Sequence, residues 1–303
     1  MKIALLSIAD LTGFVADDEL VVEPLRELGH VAEFVPWQRT GVAWREYGGV
    51  IIRTTWDYQN NLAAFLEVLQ EIESQTRLAN PLEIVQWNAD KKVYLQDLAQ
   101  KGARIVPTIW NKSKIENGQL EQWFDQVGSE ELVIKPTVGA NAQDALRLQR
   151  GKQDAALLST IFDNRSCMIQ PFMHGISEEG EFSLFYVNGE YSHAILKTPA
   201  PGDFRVQEEH NGTIKSTEPS PGLLAAGQEV LKHIFPQLLY ARVDFVRTAN
   251  DEFALMELEL IEPSMYLRTA AHAPRFFAKA IDRWVRETEQ QPVRKGALRL
   301  SES

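Results

Sequence analysis

A chain of 303 residues has room for about two domains of ordinary size, which excludes a peptide hormone or a small disulfide scaffold. Its 44% hydrophobic and 24% charged residues suit a folded protein in water, and 31 Lys and Arg against 42 Asp and Glu leave a net charge of −11, unfavourable for nucleic acid or an anionic membrane. The single cysteine, Cys167, cannot form an intrachain disulfide, and no apolar run approaches the roughly 18 residues that cross a bilayer, so the cytoplasm is the expected compartment.

In chain order, Ile3 to Ile8 is apolar except for Ser7, as in a parallel strand covered on both faces, and Leu20, Val21, Leu25 and Leu28 follow at helical spacing before Gly29. His30 to Val35 and Val50 to Ile52 read as further strands, and Leu62, Phe65, Leu66, Leu69 and Ile72 form a helical stripe. This alternation predicts an α/β unit with a parallel sheet over 1–87. A second unit, 88–169, opens at Asn88-Ala-Asp-Lys-Lys with a helix through Val93, Leu95, Leu98 and Ala99. Strands are then expected at Arg104 to Pro107, Leu132 to Lys135, Ala145 to Leu148 and Met168 to Gln170, with helices at Leu120 to Val127 and Asp154 to Phe162. The third unit, 170–303, carries two hairpin signals: Phe182 to Val187 and Ser192 to Lys197 around Asn188-Gly189, and Ala241 to Val246 and Phe253 to Leu260 around Thr248-Ala-Asn-Asp-Glu. Pro199 to Pro221 reads as one long functional loop, and the polar tail after Gln290 as loose.

The second hairpin carries Asp244 on one arm and Met256-Glu257-Leu258-Glu259-Leu260-Ile261-Glu262-Pro263 on the other. Residues two apart in a strand share a face, so Glu257 and Glu259 point together, with Asp244 on the partner strand. Such carboxylates repel one another unless a cation lies between them, and an all-oxygen set suits Mg²⁺ or Mn²⁺. An exposed face alternating charge with core has the same pattern. Lys135 ends an apolar strand before a loop of small residues, where an ammonium and backbone N–H groups can meet phosphate; a lysine snorkelling to water reads the same way. The chain has no P-loop signature, no Gly-x-Gly-x-x-Gly, no Gly-x-Ser-x-Gly and no Cys/His metal cluster.

Taken in order, Asn88-Ala-Asp-Lys91, Arg104-Ile-Val-Pro-Thr, Val133-Ile-Lys135-Pro136, Met168-Ile-Gln170-Pro-Phe172, Glu181-Phe-Ser-Leu, Val243-Asp244 and Glu257-Leu-Glu259 resemble the ATP-grasp carboxylate–amine ligases across essentially the whole chain. Arg53-Thr-Thr-Trp56-Asp57-Tyr58, Trp87-Asn88 and Gly202-Asp203-Phe204-Arg205-Val-Gln are similar to the glutathione-synthetase-like branch that includes the cyclo-ligase of cycloserine biosynthesis. The resemblance implies an ATP-grasp fold, an α/β architecture with an N-terminal parallel-sheet domain, a central lid (about Gly102 to Cys167) and a C-terminal, mostly antiparallel catalytic domain. It implies γ-phosphoryl transfer from ATP to a small-molecule carboxylate, then capture of the acylphosphate by an amine-type nucleophile of a second molecule or of the same one.

Carried over residue by residue, the resemblance makes Lys91 and Lys135 the phosphate lysines, with Lys92 competing for the role of Lys91. Gln170 and Phe172 would border adenine, Glu181 the ribose, and Asp244, Glu257 and Glu259 would hold Mg²⁺, Glu259 standing where many members have Asn. Ala140 and Ala142 occupy a lid loop that is often richer in glycine. Arg205, in the long loop, would grip a substrate carboxylate or the transferring phosphoryl group and act with Lys135 in catalysis; a surface ion pair is the alternative. Arg53 and Asp57, past a strand's carboxyl end, are expected to see substrate, as are Asp203 and Ser264, with Tyr266 nearby and Trp56 in a packing role. Cys167, His193 and His210 read as structural. A non-catalytic ATP-binding module and a phosphotransferase are the competing classes; the acid, the nucleophile, metal number and any homo-oligomer stay open.

Overall fold

The computed structural model describes residues 1–287 apart from 113, 117, 153–154 and 235–237, so Asp154 and the tail after Gln290 lie outside the described residues. The chain begins with β1 (Lys2–Ser7), α1 (Val22–Glu27), β2 (Val31–Pro36), β3 (Gly49–Thr54), α2 (Leu62–Gln75) and β4 (Leu78–Ala79). These strands form a parallel sheet in the order β2-β1-β3-β4. β3 is buried throughout, the reason it reads as an almost unbroken apolar run. Asn61 caps α2 by accepting from the Ala64 N–H, and Phe65, Leu69 and Ile72 bury its inner face.

Next come α3 (Leu82–Asn88), which the sequence reading missed, and α4 (Lys91–Gln100), started by Asp90 accepting from the Lys92 N–H. β5 (Ile109–Asn111), α5 (Gln119–Val127), β6 (Glu131–Pro136), β7 (Leu146–Gln149), α6 (Ala155–Phe162) and β8 (Cys167–Pro171) build an antiparallel sheet in the order β5-β8-β6-β7. Its core, around Trp123, Phe124, Leu132, Ile134, Phe162 and Ile169, is its own. The expected strand at Arg104 to Pro107 is corrected to an isolated parallel bridge, Ile105 to Leu255, because Pro107 has no N–H to continue a ladder. β8 runs across the expected 169/170 boundary.

The last part comprises α7 (Gly175–Glu178), β9 (Glu181–Val187), β10 (Glu190–Thr198), β11 (Thr213–Ser216), α8 (Pro221–Leu231), β12 (Tyr240–Arg247), β13 (Phe253–Glu259) and α9 (Ala273–Glu287). Its sheet is antiparallel, in the order β11-β10-β9-β12-β13. Asn188 and Gly189 both have positive φ, 51° and 78°, as a type I′ turn requires. The expected 199–221 loop is corrected: β11 pairs with β10 inside it. α9 was also unanticipated, although Phe277, Ile281 and Val285 recur at helical spacing on its buried face. It packs against α1, and Phe277 and Ile281 share one core with Ile3 and Leu5 of the parallel sheet and Phe185 and Tyr240 of the antiparallel one. First and last units therefore form a joint platform, with the central sheet's separate core beside it.

Candidate functional site

A cavity lies between the central sheet and the β9–β13 sheet, with Lys135, Gln170 and Phe172 on one wall and Asp244, Glu257 and Glu259 on the other. Antiparallel register sets Asp244 opposite Glu257 and Arg242 opposite Glu259, and the register shifts between Asp244 and Phe245. The expected mutual repulsion of three bare carboxylates is corrected, because cations interleave them. Asp244 accepts from Ser183 Oγ at 2.6 Å, from Lys197 Nζ at 3.2 Å and from Arg242 Nε and Nη2, both at 3.1 Å to their nearer oxygen. Burial pushes its carboxyl up, but Arg242 and Lys197 hold it down at about 2. Arg242 also grips Glu259, and Lys197 grips Glu181. Burial raises Glu181, and it raises Glu259 to about 7 despite Arg242.

Lys91, the first residue of α4, donates from Nζ to the Gly139 carbonyl at 2.6 Å and pairs with Glu257 at 2.9 Å. It thereby latches the small-residue loop onto β13; burial raises the Glu257 carboxyl, but Lys91 and Lys135 outweigh it and leave it lowered. Lys92 does not line the cavity and is lowered by slight burial and by Lys112. Lys135 is different: among the described residues nothing accepts a hydrogen bond from its Nζ and no carboxylate pairs with it, and burial lowers its pKa. In the adjoining loop, Asn141 and Ala142 take left-handed φ values of 53° and 52°, a conformation that favours glycine.

Gln170 lines the cavity with Nε2 on Thr108 Oγ1 at 2.9 Å, and Phe172 carries the Arg147 guanidinium 3.6 Å from its ring centre. Glu181, Arg205 and Ser264 also line the cavity. Arg205 is held by Asp203 at 2.7 Å, the hydrogen bond that drives the Asp203 carboxyl far below its usual value, while Asp203 itself stands behind the wall. Arg53 and Asp57 are not brought to the cavity. Arg53 is completely buried, paired with Asp18, donating to the Pro263 carbonyl at 2.8 Å and lying 4.8 Å from the Tyr240 ring centre. Asp57 accepts from Trp37 Nε1 and Gln38 Nε2, both at 2.6 Å. Trp56 and Tyr58 line the wall instead. His193 is buried and neutral, its pKa lowered to about 4 by burial, and Cys167 is buried with its thiol pushed up.

Arg242, Lys197 and Glu262 are among the cavity residues that received no role from the sequence. Arg242 shares a strand face with Asp244, and Lys197 faces Glu181 in the first hairpin, so register counting could have found both. Among the described residues no group of three metal-ligating side chains converges. Glu257 and Glu259 nevertheless fit a hard divalent ion as oxygen donors at the cavity, whereas the Asp244 oxygens are already occupied.

Residues 3–80 match the family described as D-cycloserine synthetase DcsG, N-terminal domain, and 105–247 match the prokaryotic glutathione synthetase ATP-grasp domain. The chain is 29% identical over 276 residues to the cycloserine biosynthesis protein DcsG of Streptomyces lavendulae, covering 86% of this chain and 91% of that protein. It superposes on the crystal structure of D-cycloserine synthetase DcsG with a TM-score of 0.81 and 26% identity, covering 94% of this chain and all of the other. The D-alanine–D-alanine ligase of Bacillus anthracis shares the fold, with a TM-score of 0.69 at 14% identity over 95% of this chain and 99% of the other. No described helix is long and apolar enough to cross a membrane.

Proposed function

Because the chain belongs to the ATP-grasp carboxylate–amine ligases, we propose that this cavity takes ATP and the carboxylate of an amino-acid-like small molecule, forms the acylphosphate, and joins it to an amine. The observation that carries this reading is the desolvated ammonium of Lys135, which faces Glu257 and Glu259 across the cavity without a carboxylate of its own. A half-buried cation without a partner is stabilised by the arrival of phosphate oxygens.

In the first step a substrate carboxylate oxygen bonds to the γ-phosphorus, the β–γ bridging bond breaks and ADP leaves. Lys135 and Lys91 hold phosphate oxygens, Lys91 moving its hydrogen bonds from Gly139 and Glu257 to do so. A divalent ion of the Mg²⁺ or Mn²⁺ type, which the family generally uses and Glu257 and Glu259 would hold, supplies charge neutralisation on those phosphates. Arg242 and Arg205 face the charge that develops on the transferred group. Phe172 and Gln170 shelve the base, and Glu181 receives the ribose. In the second step the amine nitrogen bonds to the acyl carbon, the carbon–oxygen bond to phosphate breaks, and the amine loses a proton. Water is kept out by the loops at Asn141 and His210, which touch through His210 Nε2 and the Asn141 carbonyl at 3.2 Å. The matches over 3–80 and to a cycloserine biosynthesis protein support ring closure within one molecule.

The division into an N-terminal domain (1–87), a linker helix with lid (88–169) and a catalytic domain (170–303) follows from this reading, as does a cytoplasmic setting for its single buried thiol. ADP release tested against a panel of amino, hydroxy and ureido acids, with hydroxylamine as trap, distinguishes the classes. The ligase releases ADP only with its acid and yields a hydroxamate. A binding module releases none, and a phosphotransferase, with hydroxylamine left out, accumulates the phosphorylated acid where the ligase forms an amide or ring and releases phosphate.

A further inference from the structure

Thr108 and Gln170 belong to the two stretches that join the central sheet to the rest of the chain: 103–108 before β5, and β8, which leads through α7 to β9. A series of hydrogen bonds ties these stretches together. The Val106 N–H donates to the Leu255 carbonyl of β13 at 3.2 Å, the Thr108 hydroxyl donates to the Val106 carbonyl at 2.7 Å, and Gln170 donates from Nε2 to Thr108 Oγ1 at 2.9 Å. Ile109 pairs with Ile169 across β5 and β8, which brings Thr108 and Gln170 side by side. A hydroxyl has one proton. Thr108 gives its own to Val106, so toward Gln170 its oxygen can only accept, and the amide must turn its NH₂ that way. Gln170 is 3% exposed and lines the cavity, whereas Thr108 is not on the wall. Oε1 of Gln170 accepts nothing from the described residues, so the amide holds an unmet acceptor at the wall.

Phe172, two residues on, lines the same wall, and a flat base against its ring would turn a polar edge to Gln170. Adenine carries a 6-amino donor on that edge, and a 6-oxopurine carries an acceptor. We infer that Thr108 is a positioning residue for nucleotide choice: by fixing the Gln170 amide with its oxygen unmet, it makes this wall take a 6-aminopurine and refuse a 6-oxopurine, whose own oxygen would oppose Oε1. The inference rests on the reading that the cavity takes ATP and adds what selects the base. The two ends of a glutamine amide have nearly the same shape, so an amide free to turn could offer its NH₂ to a 6-oxo group equally well. Selection therefore lies in the residue behind Gln170, not in Gln170 alone. A wrong base leaves two acceptors facing each other out of water, and neither can be satisfied without breaking the bond to Thr108.

The test measures, by calorimetry on the full chain with Mg²⁺, the binding of ATP and of inosine triphosphate, which carries a 6-oxo group and an N1–H where ATP has a 6-amino group and a bare N1. Wild type should bind ATP at least about tenfold more tightly. Thr108→Val keeps the shape of the side chain but cannot accept from Gln170, so the ratio should close to about threefold or less, with inosine triphosphate gaining affinity as ATP loses it. Thr108→Ser, which restores the hydroxyl, should restore the wild-type ratio. A merely structural role for Thr108 would weaken both nucleotides alike and leave the ratio unchanged, which overturns the proposal, as does a wild type that binds the two equally. Melting temperatures check that the variants fold. Should Thr108→Val not fold, Gln170→Glu carries the test: with acceptors only at this position it should keep the preference for ATP, and a preference for inosine triphosphate overturns the proposal. If neither nucleotide binds wild type, the ATP reading itself falls, a result distinct from both binding alike.

Discussion

Asp244 and Glu257 face each other across the β12–β13 pair, yet each carboxylate is held by its own cations, Asp244 by Arg242 and Lys197 and Glu257 by Lys91. The cluster is therefore an alternating lattice of charge, and removing one member exposes its partner.

Glu257→Gln removes the negative charge paired with the buried Lys91 ammonium, so the ligand-free protein should lose about 1–3 kcal/mol in a urea titration. Mg²⁺ with a nucleotide analogue should raise the melting temperature of the variant less than that of wild type, because a ligand that binds only the native state stabilises by mass action. Unchanged stability without ligand would mean that the carboxylates do repel one another and that Lys91 is incidental.

Lys135→Met removes a desolvated ammonium that has no internal partner, so the free protein should be as stable as wild type or more so, while calorimetry shows ATP binding weakened at least about tenfold. The lowered lysine gives a sign to check. Between its folded pKa and the ordinary 10.5, the unfolded chain binds the extra proton, so wild-type stability should rise with pH in that window relative to Lys135→Met. Full ATP affinity in the folded variant sinks the phosphate role.

Arg205→Ala should keep ATP affinity within about twofold and change stability by no more than about 0.5 kcal/mol, since the Asp203 pair is partly exposed and screened. Acid-dependent ADP release should nevertheless fall by about 100-fold or more, the scale of losing one preorganised charge at a reacting centre. Equal turnover would return Arg205 to a surface ion pair.

Arg53 makes the opposite case. Arg53→Ala strands Asp18 in the core and should cost about 3–5 kcal/mol in denaturant, with Asp18→Asn restoring part of the loss. A rise in substrate KM without loss of stability would place it at the substrate after all.

Glu259 and Glu262 are raised to about 7 and about 8, each by burial first and by neighbouring carboxylates after it. In the unfolded chain both titrate near 4.5, so between that pH and 8 the folded protein holds more protons and its stability falls as pH rises. Melting temperatures of the ligand-free protein should be higher at pH 5 than at pH 8, with the slope reduced in Glu262→Gln. A flat or rising profile contradicts the assignment.

The parallel sheet, both hairpins and the candidates Lys91, Lys135, Glu181, Asp244, Glu257 and Glu259, which all line the cavity, were legible because each follows from local periodicity or a motif in order. The carboxyl end of β3 was also the right place to seek substrate contacts, but Arg53 turns into the core while Trp56 and Tyr58 reach the cavity. What decides between them is tertiary: Asp18, from 35 residues earlier, and the Pro263 carbonyl claim the guanidinium. The reach of Lys197 from Glu181, its hairpin partner, on to Asp244 of β12 was hidden for the same reason, since it joins three strands of one sheet. α9 left a plain helical stripe, yet its task of welding the first unit to the last has no sequence signature.

In the proposed reaction a substrate carboxylate oxygen attacks the γ-phosphorus of ATP in the cavity between Lys135 and Glu257. The acid found in the ADP-release panel, labelled with ¹⁸O in its carboxylate, tests this by mass spectrometry of the phosphate released. One ¹⁸O per turnover in inorganic phosphate, alongside a product that retains the other, is the predicted result. Unlabelled phosphate, with both labels kept in the organic product, would contradict the acylphosphate route.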